Sequence, residues 1–181
     1  DFFNFLRKQN LILRNPTDDL EPVKKYDRAP KNVPSEEVIL NLLIQPDEYT
    51  YHGIRDRAIL ELLYSTGMRL RELLLLKIED IDLKERSVMI LNAKGGKQRM
   101  VPFGEKTREA LEKYLKISRP YYLKNRNDNV LFLSKLGIPL KSYGVHEIIK
   151  RCGQRSHHLK GISAHTIRHA FALHMLKGGA P

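Results

Sequence analysis

The sequence predicts a mainly helical domain with a small antiparallel β-sheet, an α+β fold class, and two observations carry this prediction. Apolar residues recur at helical spacing in most segments after residue 35. The exception is a pair of short apolar and β-branched runs, 87–91 and 98–102, separated by a glycine-containing turn. That pattern is typical of a β-hairpin. A length of 181 residues is enough for one sizeable domain and part of another.

Composition divides the chain near its N-terminus. Residues 1–25 begin with an aromatic and leucine-rich stretch, and we expect them to be the last helix of a preceding domain. Residues 26–34 contain Pro30 and Pro34 among mixed charges and have no periodicity, which is typical of a linker. Residues 35–181 are then predicted to form the main domain.

The first helices of the main domain have recognisable ends. Ser35 can cap a helix with its hydroxyl, and the two glutamates that follow favour a helix N-terminus. A second helix is predicted over 53–65, with Gly67 as its C-terminal stop. A short buried helix starting at Leu70 would follow directly. That helix would hold Arg69 on a rigid support rather than on a loop.

The hairpin comes next along the chain. Its glycines supply the positive φ angles of the turn, so Lys94 is predicted at the tip. A short strand is predicted at 130–133, where apolar residues run without interruption. The remaining helical periodicities predict helices at 105–116, 142–152 and 164–177.

The net charge favours a polyanionic partner. The chain has 32 Lys and Arg residues against 21 Asp and Glu residues, a formal net charge of +11. Nucleic acid is one such partner. Many basic surfaces only keep a protein soluble, however, so charge by itself leaves the partner open.

Composition also argues against several classes. No apolar run approaches the roughly 18 residues of a membrane span, and the N-terminus has no signal-peptide pattern, so we expect a soluble, cytoplasmic protein. The single cysteine, Cys152, excludes an internal disulfide and a cysteine-rich zinc site, and we expect it to pack on a helix. His146 has no metal-ligand spacing and is interpreted as a surface or packing residue, and no metal site is predicted.

One predicted helix carries residues suited to an anion. His165, Arg168 and His169 are spaced i, i+3 and i+4, so their side chains share a helical face. Arg69, just after Gly67, is a second arginine in a comparable setting. Together with Lys94 in the glycine-rich turn, these residues form a set suited to phosphodiester strand transfer.

These motifs resemble those of the tyrosine recombinase family, which includes phage integrases and Xer-like proteins. The resemblance rests on three motifs in order, namely the Thr66-Gly67-Met68-Arg69-x-x-Glu72-Leu73 box, the Lys94 hairpin and the His165-x-x-Arg168-His169-x-x-Ala172 helix. It covers about residues 30–181 and implies the catalytic-domain fold of that family. Residues 1–25 then resemble the last helix of the family's core-binding domain.

The resemblance implies a reaction and a role for each motif residue. The reaction is site-specific recombination through a 3′-phosphotyrosyl intermediate, without metal, ATP or another cofactor. Arg69 and Arg168 would bind the scissile phosphate, because guanidinium forks match its non-bridging oxygens. Lys94 would protonate the leaving 5′-oxygen, and His165 would accept the tyrosine proton or bind the phosphate. Glu72 would orient the arginine box from behind.

Further residues are predicted to contact DNA, with two questions left open. Lys97 competes with Lys94 for the role of general acid. His169 either contacts phosphate or is a structural histidine hydrogen-bonded to a neighbouring helix. The full set of predicted DNA contacts outside the catalytic group is Lys97, Arg99, Lys141 and His169.

The largest departure from the family pattern lies at the C-terminal end. In the family, the histidine-arginine helix is followed by a second His or Trp and then by the nucleophilic tyrosine. All eight tyrosines of this chain precede that helix. We therefore expect the nucleophile beyond Pro181, and we expect the 181 residues alone not to cleave DNA.

The resemblance further implies that the partner is double-stranded DNA, bound by a homotetramer on paired recombination sites. Two other functions use similar residues. A type IB topoisomerase would nick and reseal a single strand with a comparable set. A noncatalytic DNA-binding module would use the arginines only as phosphate contacts.

Overall fold

The chain forms two compact units in the computed structural model. The structure describes residues 2–19, 33–91, 98–124, 128–155, 159 and 161–179. The first unit lies within Asp1–Lys31 and contains helix α1, Phe2–Lys8. An ion pair of 3.1 Å between Arg7 and Asp18 links this helix to the segment after it. The second unit, Asn32–Pro181, holds the sheet and the other helices of the described residues.

Two hydroxyl caps start the helices that open the second unit. Helix α2, Glu36–Leu43, begins after Ser35, whose side chain accepts a hydrogen bond from the Val38 amide, as predicted. Helix α3, Tyr51–Thr66, begins two residues earlier than predicted. The reason is Thr50, whose hydroxyl accepts a hydrogen bond of 3.1 Å from the Gly53 amide.

Gly67 ends α3 and sets the approach of another helix. Its φ of 56° is left-handed, and its amide donates to the Leu63 carbonyl. A Cβ at this position would lie 2.1 Å from the ring of Phe171, which belongs to helix α8, Ala164–Lys177. Glycine is therefore required both by the turn and by the close contact between the end of α3 and α8.

The predicted hairpin is part of a three-stranded antiparallel sheet of order β1-β2-β3. Strand β1, Ile81–Asp82, pairs with β2, Ser87–Ile90, which pairs with β3, Arg99–Pro102. Val88 lies opposite Val101 in the register of the hairpin. Residues 92–97, including Lys94 and Lys97, lie outside the described residues.

The predicted strand at 130–133 is wrong. Val130 and Leu133 form only isolated bridges, with Lys77 and Pro139 respectively. Side chains supply part of the backbone partners that a neighbouring strand would provide. The Tyr114 hydroxyl donates to the Leu131 carbonyl at 2.9 Å, and the Arg119 guanidinium donates to the same carbonyl. An apolar run indicates that a segment is buried. Buried backbone groups need hydrogen-bond partners, but these do not have to belong to a strand.

The helix predicted at 105–116 is longer and less regular than expected. Helix α5, Glu105–Lys113, continues into a π-helical segment, Tyr114–Ser118, and then into α6, Arg119–Leu123. Pro120 stands in the first turn of α6 and has no amide to donate to the preceding turn, which favours a break in the α-helical ladder. Helix α7, Ser142–Gln154, and α8 lie close to their predicted ranges.

Helix α3 is the centre of the core. It buries Ala58, Ile59, Leu60 and Leu62 completely, so it is covered on all sides rather than along one stripe. Helices α2, α5, α7 and α8 and the sheet pack around it. Cys152 of α7 is buried, and burial raises the pKa of its thiol to about 11. In the part of the chain that is described, no helix is long and apolar enough to cross a membrane.

Gly67→Ala is expected to lower the free energy of unfolding by about 2 kcal/mol or more, because a left-handed φ and a clash with Phe171 both oppose a Cβ. Urea denaturation of the purified chain measures the change. Gly178→Ala is the control, since Gly178 has a φ of −77° and its Cβ would meet nothing closer than 3.4 Å. A change of about 0.5 kcal/mol or less is expected there. Equal stabilities of the two variants would contradict the close contact at Gly67.

Candidate active site

An open cleft of about 400 Å³ lies where the α3–α4 junction, α7 and the start of α8 meet, α4 being Leu70–Leu75. Three of the predicted catalytic residues, Arg69, His165 and Arg168, line this cleft. More than half the length of the chain separates Arg69 from His165 and Arg168, so the fold brings them together. The complete lining is Met68, Arg69, Leu70, His146, Ser163, Ala164, His165 and Arg168.

Arg69 is held at the N-terminus of α4 by Glu72. The Arg69 amide donates to Glu72 Oε2 at 2.8 Å, and its Nη1 donates to Oε1 at 3.1 Å. The Arg69 side chain is 48% exposed, whereas that of Glu72 is 4% exposed. The carboxylate therefore anchors the arginine from the protein interior, and the remaining guanidinium N–H groups are left to face the cleft.

Glu72 is also bound by a second arginine. Arg99 of β3 donates from Nη1 to Oε1 at 3.0 Å and from Nη2 to Oε2 at 2.7 Å, a bidentate pair. Burial opposes ionisation of Glu72, but the hydrogen bonds from Arg99 and Arg69 outweigh it and lower its pKa from 4.5 to about 2. The carboxylate is thus ionised and shared between two guanidinium groups.

The sequence did not predict that Arg99 would bind Glu72. The sequence predicts it as a DNA contact, and the structure shows both of its terminal nitrogens donating to Glu72. Its side chain is still 34% exposed. A DNA contact by Arg99 stays a prediction, and its hydrogen bonds to Glu72 add a structural role.

Arg168 is fixed from α8 onto the end of α3. Its Nη1 donates to the carbonyl of Gly67. Partial burial lowers the pKa of Arg168, the charge of Arg69 and, less strongly, that of Arg99 lower it further, and Glu72 acts in the opposite direction. These effects mean that like charges have been gathered around one cleft, which favours a bound anion.

The two histidines of α8 bind each other. Nε2 of His165 lies 2.6 Å from Nε2 of His169, and their ring planes are almost perpendicular, at 78°. His169 was predicted either to contact phosphate or to bond a neighbouring helix. Its hydrogen-bond partner is instead on its own helix. A phosphate contact by His169 stays a prediction.

The remaining predicted residues are Lys141, Lys94 and Lys97. Lys141 is exposed at the N-terminus of α7 and does not line the cleft. Lys94 and Lys97 lie outside the described residues. Within the described ranges, no group of three or more His, Cys, Asp or Glu residues could hold a metal ion.

Sequence reasoning interpreted His146 as a surface or packing residue and did not predict its place in the cleft. It is exposed on α7, but its side chain lines the cleft together with Arg69, His165 and Arg168. No local signal could have found it, because its place in the cleft depends on how α7 packs against α4.

The fold and the cleft define a class of protein: an α+β domain that presents two buttressed arginines and a histidine to an anion. The chain belongs to the phage integrase family, whose family model matches residues 35–181. The tyrosine recombinase resemblance seen in the motifs is thereby confirmed.

Curated relatives match almost the whole chain. The tyrosine recombinase XerD of Staphylococcus haemolyticus strain JCSC1435 is 38% identical over 179 residues, which cover 99% of this chain and 60% of the relative. XerD of Ralstonia nicotianae is 37% identical over 179 residues, covering 99% and 58% respectively. The chain thus spans about 60% of the length of the curated relatives it matches.

Solved structures share the fold. The XerA recombinase crystal structure has a TM-score of 0.69 and 29% sequence identity, with coverage of 81% of this chain and 51% of that one. The XerH site-specific recombinase bound to difH substrate has a TM-score of 0.66 and 24% identity, covering 81% and 43%. The predicted catalytic-domain fold is therefore confirmed.

Glu72→Gln is expected to lower the free energy of unfolding at pH 7 by about 3 kcal/mol, since a pKa held well below its ordinary value stabilises the folded state. This stability is fully present above pH 4.5 or so and is lost as the pH falls toward 2. The difference between wild type and variant should therefore narrow between about pH 5 and pH 2, as measured by urea denaturation.

Glu79→Gln is the control for this substitution. Glu79 is 64% exposed and pairs only with Lys77 at 3.3 Å. We expect a change within about 0.5 kcal/mol at every pH. A Glu72 variant with the same flat, small effect would mean that its ion pairs contribute little.

Proposed function

We propose that this chain is the catalytic part of a site-specific recombinase that cleaves and rejoins DNA strands through a 3′-phosphotyrosyl intermediate. The observation that carries the proposal is the convergence of Arg69, Arg168 and His165 on one cleft in a member of the phage integrase family. A structural neighbour, the XerH recombinase, has been solved with its difH substrate. Double-stranded DNA is accordingly the proposed partner.

The two arginines are proposed to bind the scissile phosphate. A phosphodiester gains negative charge in the transition state, and fixed guanidinium groups stabilise it without rearrangement. Arg69 uses one Nη for Glu72, and Arg168 uses one Nη for the Gly67 carbonyl. Each guanidinium has further N–H groups, so each can be anchored and still bind a phosphate oxygen.

Proton transfer is assigned to His165 and Lys94. His165 would take the proton of the attacking tyrosine, and Lys94 would protonate the leaving 5′-oxygen, with Lys97 as the alternative acid. The tyrosine is proposed to come from outside the 181 residues. Because the phosphotyrosyl bond conserves the energy of the broken phosphodiester, neither ATP nor a metal is needed for rejoining.

The rest of the assembly is proposed from the family resemblance. Residues 1–25 would end the core-binding domain, and residues 26–34 would link it to the catalytic domain at 35–181. Lys141, Lys97 and Arg99 would contact DNA, whereas His169 would either contact phosphate or have a structural role. A homotetramer on paired sites would exchange the strands.

Arg69→Ala or Arg168→Ala is expected to reduce formation of a covalent protein–DNA adduct by about 10²-fold or more, because each removes a charge-stabilising donor. The measurement uses the full-length protein and a nicked suicide duplex, with the adduct read on a denaturing gel. Arg71→Ala is the matched control, since Arg71 is an exposed neighbour on α4 outside the cleft. It should keep the wild-type rate.

Two outcomes would contradict the proposal. If the full-length protein gives no adduct but binds DNA tightly and in a salt-sensitive manner, it is a noncatalytic DNA-binding module. If it forms the adduct and relaxes supercoiled DNA without exchanging strands between two sites, it acts as a type IB topoisomerase. Recombinant product from paired sites supports the recombinase.

The Lys141→Gln substitution tests the proposed DNA contacts. Loss of one phosphate contact should reduce the slope of log affinity against log salt by about 0.9, with similar weakening on all sequences. Lys116→Gln is the control, because Lys116 is paired with Glu112 at 2.6 Å on another helix. Filter binding over a range of salt concentrations gives both slopes, and an unchanged slope for Lys141→Gln would remove Lys141 from the interface.

A further inference from the structure

We infer that His169 is a positioning residue that selects the tautomer of His165 and thereby directs the nitrogen that exchanges the proton. The inference rests on the proposed function and adds a role that the motif alone does not assign. It starts from the 2.6 Å contact between the two Nε2 atoms on the exposed face of α8.

The contact fixes the proton count of the pair. Two imidazole nitrogens form a hydrogen bond only if one carries a hydrogen and the other a lone pair. Among the described residues, neither ring has a further hydrogen-bond partner. His165 therefore has Nε2 occupied by His169 and Nδ1 left for the cleft.

The positions of the rings decide the direction of the bond. His165 lines the cleft, whereas His169 does not. A base that accepts a proton on Nδ1 must already carry its hydrogen on Nε2. The Nε2–H of His165 thus donates to His169, and His169 carries its own hydrogen on Nδ1.

The groups around the pair disfavour a carboxylate in the place of His169. Arg69, Arg168 and His146 face the cleft, and Arg99 and Glu72 lie behind Arg69. A carboxylate in the place of His169 would orient His165 equally well, as in hydrolase triads, but it would repel the bound phosphate and compete for the arginines. An imidazole orients the base without placing a negative charge beside the bound anion.

The proton balance of the step is closed. When the tyrosine oxygen attacks phosphorus, its proton moves to Nδ1 of His165, which becomes an imidazolium while its Nε2–H remains bonded to His169. The bond from phosphorus to the 5′-oxygen breaks, and that oxygen takes a proton from the general acid of the proposed mechanism. Rejoining runs the same transfers in reverse.

The test uses His169→Leu, which removes the acceptor, and His169→Gln, which keeps an amide oxygen that can accept the same hydrogen bond. Nitrogen NMR of the imidazoles in the full-length protein reports the tautomer of His165. We expect the Nε2–H tautomer in wild type, a tautomer mixture in His169→Leu and recovery in His169→Gln. Adduct formation at saturating DNA should fall about tenfold or more in His169→Leu at unchanged DNA affinity, and His169→Gln should restore most of it.

A structural histidine supplies the matched control. His174, on the same helix, bonds the Tyr64 hydroxyl at 3.0 Å and lies 3.1 Å from the Pro34 carbonyl oxygen. His174→Gln should lower thermal stability while leaving the His165 tautomer unchanged. A general loss of stability is thereby separated from the specific effect.

An unchanged His165 tautomer in His169→Leu overturns the inference. If DNA affinity and the salt slope also fall in that variant, His169 is a phosphate contact instead. Failure of the proposed function gives a different result, namely that the wild-type protein forms no adduct. The NMR result decides the positioning role in either case.

Discussion

The ionised carboxylate of Glu72 is the interaction on which the cleft depends. It accepts hydrogen bonds from Arg69 at the start of α4 and from Arg99 at the start of β3. A buried carboxylate is costly unless it is paired, and here two guanidinium groups outweigh the burial. The same contacts tie the hairpin strand that follows the predicted Lys94 turn to the helix that carries Arg69.

The second fixed point is the junction at Gly67. Its left-handed backbone ends α3 and turns the chain into Arg69, while its carbonyl receives Arg168 from α8. Phe171 packs directly against the same glycine. One residue thus sets the geometry of both arginines, and the buried α3 behind it makes the junction rigid.

Three motifs far apart in the chain are therefore held by contacts that are mostly polar and partly buried. Glu72 accepts one guanidinium N–H of Arg69, the Gly67 carbonyl accepts one of Arg168, and each of these arginines has others left for a ligand. The pair of histidines follows the same logic, with one nitrogen of His165 bonded to protein and the other available. Anchoring each group through part of its hydrogen-bonding capacity is a way to preorganise a site for an anion.

The sequence by itself determined the elements and the family. Helical periodicity, the Ser35 cap and the Gly67 stop depend on neighbouring residues, so they can be read locally. Arg69, His165, Arg168 and Glu72 could be named because the motifs that contain them are local patterns in a fixed order. The strand predicted at 130–133 was wrong because that prediction could not be made locally. The segment is buried, but its backbone partners include residues distant in the chain.

Only the tertiary structure decided how these groups meet. The bidentate pair of Arg99 with Glu72 spans 27 positions, and the bond from Arg168 to Gly67 spans 101. The place of His146 in the cleft and the direction in which His169 points likewise follow from helix packing and ring orientation. Spacing along the chain determines which face of a helix a residue occupies, but its partners depend on the packing of the whole domain.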